Sequence, residues 1–198
     1  LREMDQHFKS SEQPLFVYVQ TMASHGPYNS AYMPDENVAG GGPGTSAEMS
    51  EFLRREAMAQ RDGDFLMDEL KRRFPDEPIV VVRYGDHQPS ATWNLINNVW
   101  GDDSPDIGEG GKPGPYITYY AMLGHNYPLP PLPVYDPLDI AYLGTVMLEV
   151  AGLPLSEAQL ERKRLMVACR GRYFGCEPRS NILAFHRRLI NSGLVEAQ

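Results

Sequence analysis

Asp86 and His87 stand side by side at the end of Val80-Val81-Val82-Arg83-Tyr84-Gly85-Asp86-His87-Gln88-Pro89. A carboxylate oxygen and an imidazole nitrogen together suit Zn, Mn or a similar divalent ion. Neighbouring side chains on a regular strand point to opposite faces, so the two can share an ion only where the pleat breaks. Gly85 and Pro89 supply that break. The plainer alternative is a turn capped by Asp86 with His87 on the surface, and an isolated Asp-His pair does not exclude it. A second candidate is His25, in the turn-rich run Thr21-Met22-Ala23-Ser24-His25-Gly26-Pro27-Tyr28. Tyr28 and Trp93 are candidates to line a substrate crevice, with core packing as their alternative. Cys169 and Cys176 lack partners at zinc spacing; they form either a disulfide in an oxidising compartment or two inert thiols in a reducing one. The chain contains no Gly-x-Ser-x-Gly, Cys-x-x-Cys or His-Glu-x-x-His, which removes the nucleophile elbow, the redox motif and the zincin helix. Gly40-Gly41-Gly42 is not followed by the Lys-Ser/Thr of a phosphate loop.

The elements that must position these residues follow from local pattern. Ile79 to Val82 is a β-branched run suited to a strand covered on both faces, as in parallel sheets. Pro14 to Thr21 also reads as a strand. Between them Thr45 and Glu48 form a capping-box signature, and Met49, Phe52, Leu53, Phe65, Leu66 and Leu70 recur at helical spacing, with a break expected at Gly63. A strand-helix-strand unit is nearly always a right-handed crossover between parallel strands. It would bring His25 and Asp86-His87 to the same sheet edge, where open α/β sheets bind ligands.

After Pro89 the chain passes Trp93, Trp100 and a Gly/Asp/Pro-rich loop to a third expected strand, Tyr116 to Leu123, with His125 just beyond it. Asp136 and Pro137 are expected to open a helix through Val150 that Gly152 and Pro154 close. Ser156 and Gln159 predict a capping box for a further helix, and Ser180 a last one ended by Gly193. The arginines of this tail read as a solvated face. Leu1, Met4 and Phe8 suggest a helix already under way at the first residue, as in a piece of a longer protein.

With 198 residues the chain can form one domain with a sizeable core. A net charge of -8 and a pI near 5.1 argue against nucleic acid or anionic membrane surfaces as principal partners. No apolar run reaches the roughly 18 residues that span a bilayer, and no signal-peptide pattern is present.

Tyr84-Gly85-Asp86-His87 after a Val-rich strand resembles the second metal-binding motif of the sulfatase-like branch of the alkaline phosphatase superfamily, within it the lipoteichoic acid synthases and phosphoethanolamine transferases. Many members have Gly where this chain has Gln88. Thr21 to Tyr28 is similar to the family's Thr-x-x-x-His-x-Pro-Tyr/Phe segment, and Asp62 matches an Asp that recurs between the two motifs. The resemblance spans roughly Met4 to Leu153. It implies an α/β, alkaline-phosphatase-like three-layer fold with a mostly parallel central sheet, residues 1–153 forming the C-terminal part of a catalytic domain and 154–198 a helical extension. It further implies a divalent metal (Mn, Zn, Mg or Ca) on Asp86 and His87, with His25 contacting the phosphoryl or sulfuryl group of the substrate. The substrate would be a phosphate or sulfate ester, including a lipid headgroup. The parent protein would be membrane-anchored, its catalytic part periplasmic or on the extracytoplasmic face of a bacterial inner membrane. The family's nucleophile and first carboxylate lie upstream of the matched segment, so this chain alone is expected to be inactive. A non-catalytic binding module retaining the fold is the competing expectation.

Overall fold

The computed structural model describes residues 1–10, 12–93, 95, 117–131, 135 and 137–195. Backbone contacts divide the chain into two units, residues 1–77 with 89–92, and residues 78–88 with 93–198. Among the described residues no helix is long and apolar enough to cross a membrane.

The first unit is built on two helices, α1 (Arg2–Ser10) and α2 (Ala47–Arg73). Ser46, one residue later than expected, caps α2: its Oγ accepts from the Met49 amide at 3.2 Å, satisfying one of the unpaired first-turn donors. Lys71, Arg72 and Arg73 complement the negative end of the helix dipole, and Pro75 disfavours helical geometry at Phe74. The break expected at Gly63 does not occur. A single interior glycine costs about 1 kcal/mol, and packing on either side, at Met58 and at Met67 and Leu70, holds the helix together. Phe8 of α1 meets Phe74 edge-on with centroids 5.1 Å apart.

The strand expected at Pro14 to Thr21 has no ladder. Phe16, Val17, Tyr18 and Val19 are all exposed. β propensity expresses fit to a half-buried pleated surface, and among the described residues no strand pairs with this segment.

In the second unit β1 (Ile79–Tyr84) pairs with β2 (Tyr120–His125). The pairing is antiparallel, from Ile79 opposite His125 to Tyr84 opposite Tyr120. The architecture is thus mixed α/β in the general sense, and the sheet among the described residues is this two-stranded antiparallel one. The expected third strand is displaced toward the C-terminus, because β2 matches all six residues of β1; His125 therefore lies inside the ladder instead of beyond it. Tyr116, Trp100 and the loop over 101–115 lie outside the described residues.

The described residues of this unit also form α3 (Ile140–Val150), α4 (Glu157–Ala168) and α5 (Ser180–Asn191). Asp136, the expected cap of α3, is also outside the described residues. Asp139 takes the cap position, and its carboxylate accepts the backbone N–H groups of Tyr173 and, at 2.9 Å, Phe174. Gly152, at φ +67°, ends α3 in the left-handed conformation that carbon-bearing side chains avoid. Ser156 and Gln159 form the reciprocal capping box of α4. Tyr142, Val146, Val150, Leu165, Met166, Phe185 and Leu189 make the core, with Val80 and Met122 of the sheet packed against it. Cys169 and Cys176 are disulfide-bonded within that core. Arg164 and Arg188 both pair with Glu161 at the surface.

Candidate functional site

The loop that carries Asp86 and His87 is fixed by its neighbours. The Gly85 amide donates to the Tyr119 carbonyl at 3.4 Å, and Thr118 Oγ1 donates to the Gly85 carbonyl at 2.7 Å. A Cβ at position 85 would come within 3.2 Å of the Thr118 side chain, which would have to give by a few tenths of an ångström to admit a larger residue. Gln88 Nε2 donates to the Ile117 carbonyl at 2.8 Å, and half-exposed Trp93 donates its Nε1–H to the Gln88 carbonyl at 3.0 Å. Gln88, the position where the resembled family often has Gly, is thus a loop anchor.

Asp86 and His87 are both exposed. The His87 backbone amide donates to Asp86 Oδ1 at 3.0 Å, so Asp86 does cap the turn. Its other oxygen, Oδ2, lies 3.7 Å from His87 Nε2. His87 Nδ1 is 3.1 Å from the Gln88 carbonyl, an acceptor that an N–H on Nδ1 would serve. The backbone carbonyl behind the imidazole is the outer partner that metal-bound histidines use to fix their tautomer. Asp86 Oδ2 and His87 Nε2 are the two atoms here that could hold a divalent ion between them. Among the described residues, no group of three or more His, Cys, Asp or Glu side chains gathers at one point.

His25 belongs to the other unit. It is exposed, with Nδ1 2.7 Å from the Gly26 carbonyl, so that Nε2 is the open ring nitrogen. Tyr28, considered as a crevice residue, is buried instead. Its ring packs edge-on against Phe52 with centroids 5.6 Å apart, its hydroxyl donates to the Ser24 carbonyl at 2.6 Å, and burial pushes its pKa up. Packing wins because the Tyr28 ring is seated against Phe52 of α2. Asp62 is exposed and pairs with Arg61.

Two residues that spacing did not single out organise the His25 loop. Glu51 and Arg55, one helical turn apart on α2, are both buried and joined by Arg55 Nε to Glu51 Oε1 at 2.7 Å. Glu51 also accepts the Tyr32 amide at 2.8 Å and Arg54 Nε at 2.8 Å. These hydrogen bonds, Arg54's foremost, outweigh burial and hold the Glu51 carboxyl down to about 2. Beside the same loop, desolvation raises the Glu56 carboxyl against a hydrogen bond from Ser24. The available signal was positional: 51 and 55 fall on the buried stripe with Phe52 and Met58.

No family profile, no curated protein and no solved structure matches this chain.

Proposed function

We propose that this chain is part of a metal-dependent, sulfatase-like hydrolase or a phosphoglycerol- or phosphoethanolamine-type transferase, working through a covalent phospho- or sulfo-enzyme intermediate. The observation that carries the proposal is the 3.7 Å approach of Asp86 Oδ2 to His87 Nε2 with the opposite ring nitrogen held by a backbone carbonyl. When bound, a divalent ion supplies charge neutralisation on the phosphoryl or sulfuryl oxygens and a lowered pKa for an attacking hydroxyl. Asp86 supplies one anionic ligand and His87 one neutral one. His25 presents Nε2 to a non-bridging oxygen of the ester, or to the leaving or accepting oxygen, as a hydrogen-bond donor when protonated.

In this proposal the nucleophile lies upstream of the segment matched here, and the fold is the three-layer, mostly parallel α/β arrangement. Among the described residues β1 pairs on one side only, which leaves its other edge open to a further strand. The Cys169–Cys176 disulfide fits an oxidising, extracytoplasmic compartment.

The test is Asp86→Ala and His87→Ala in a longer chain that contains this segment. Each should remove bound metal and lower phosphodiester or sulfate-ester turnover by more than about 100-fold, the upper end of what loss of a ligand's outer-shell partner costs. Unchanged metal content and turnover in both variants would refute the enzyme reading and leave a binding module. The 198-residue chain by itself should show no turnover.

A further inference from the structure

Arg55 is a helix residue whose side chain is only 7 % exposed, and it directs nearly all its donors at one loop. Nη1 donates to the His25 carbonyl at 2.7 Å, and Nη2 to the carbonyls of Pro27 and Ser30 at 3.0 Å each. Nε is taken by Glu51. The guanidinium lies over the rings of Tyr28 and Tyr32, at 5.2 and 5.4 Å from their centroids, which adds cation–π attraction in a desolvated setting. Backbone is therefore held on both sides of His25: at Ser24 through Tyr28, at His25, Pro27 and Ser30 through Arg55, and at Tyr32 through Glu51. The His25 imidazole, by contrast, is exposed, and among the described residues its hydrogen bond is to the Gly26 carbonyl. A rigid frame around one free side chain fixes where that side chain can reach. Only a planar fork suits three carbonyls and a carboxylate at once; a lysine ammonium is a single point with three donors.

We propose that Arg55 is the positioning residue for His25, holding the 25–30 backbone so that Nε2 meets the phosphoryl or sulfuryl group. This rests on the role given to His25 above. It places part of the specificity for the ester on a residue of α2 that never touches substrate.

The test uses the 198-residue chain with methyl phosphate as probe, following the His25 ring nitrogens by NMR and the exchange of the Tyr32 amide. Arg55→Met should weaken methyl phosphate binding at least tenfold, as much as His25→Ala does, and the double variant should bind no worse than either single one. Arg55→Lys, which keeps the charge beside Glu51 but loses the fork, should resemble Arg55→Met in binding and speed Tyr32 exchange. It keeps the test open if the Met variant does not fold. Additive losses in the double variant would overturn the proposal, since Arg55 would then act other than through His25. So would an Arg55→Lys variant with wild-type binding and exchange. If His25→Ala binds methyl phosphate like the wild type, the role of His25 fails; if Arg55→Lys nevertheless frees Tyr32, the clamp survives as a loop-ordering device and its functional meaning does not.

Discussion

Reducing the Cys169–Cys176 bridge should loosen the α3–α5 core by an amount set by the loop it closes. The two cysteines are seven positions apart, and cross-linking so short a loop removes unfolded-chain entropy worth about 2.5 kcal/mol at 25 °C. Both cysteines are buried among Leu165, Met166, Phe185 and Leu189, and after reduction the thiols can still fill the same space. Comparing oxidised with reduced wild type therefore isolates the cross-link from packing, which a serine variant would not. Hydrogen exchange is the suitable assay, because it reads each unit separately, whereas a global melt of a two-unit chain need not be two-state. The slowest amides of α4 and α5 should exchange about 70-fold faster after reduction, which is the same 2.5 kcal/mol expressed as an equilibrium ratio. Amides of α2 should not change. A change of less than about threefold in α4 and α5 would refute the loop-closure argument. Equal acceleration in α2 would refute the separateness of the units.

Other outcomes follow from the buried polar groups. Glu51→Gln should lower stability at neutral pH by about 1.5–3 kcal/mol, the worth of a hydrogen bond to a charged group. Because folding lowers the Glu51 pKa from 4.5 to about 2, its contribution is complete above about pH 4.5 and fades as the pH falls toward 2. Urea midpoints of wild type and variant should therefore converge on acidification across that window; a gap that stays constant would contradict the assignment. The Tyr142 hydroxyl is buried with no hydrogen-bond partner among the described residues. Tyr142→Phe should be neutral or stabilising by up to about 1–3 kcal/mol, and a measured loss of more than about 1 kcal/mol would mean that the hydroxyl is satisfied.

Local structure was the legible part of this sequence. The caps at Ser156 and Gly152, the apolar stripes of α2 and α3 and the β-branched run of β1 are signals a few residues long, and each marks an element in the structure. Strand pairing is a non-local fact. Nothing within Ile79–Tyr84 states that its partner is Tyr120–His125 or that the pairing is antiparallel, and the parallel expectation came from the order of elements alone. Leu15–Val19 shows the same limit from the other side, since strong β propensity there meets no ladder. Glu51 and Arg55 were hidden for another reason: a Glu and an Arg four apart on a helix usually make an exposed pair of small worth. Only their place on the buried stripe distinguishes this pair. At Asp86 and His87 residue type was readable from the sequence, whereas the direction of the imidazole depends on the Gln88 carbonyl and that of the carboxylate on the His87 backbone N–H.

The exposed stretch from Leu15 to Thr21 also governs how this polypeptide behaves in a tube. It is seven residues without a charge, carrying two aromatic side chains and two valines, a composition that favours cross-β stacking between copies. Lys9 and Glu12 lie on its N-terminal side, where charged gatekeepers commonly flank sticky strands. A charge placed within this window, as in Val17→Lys, should therefore lower self-association at high concentration, which light scattering would read.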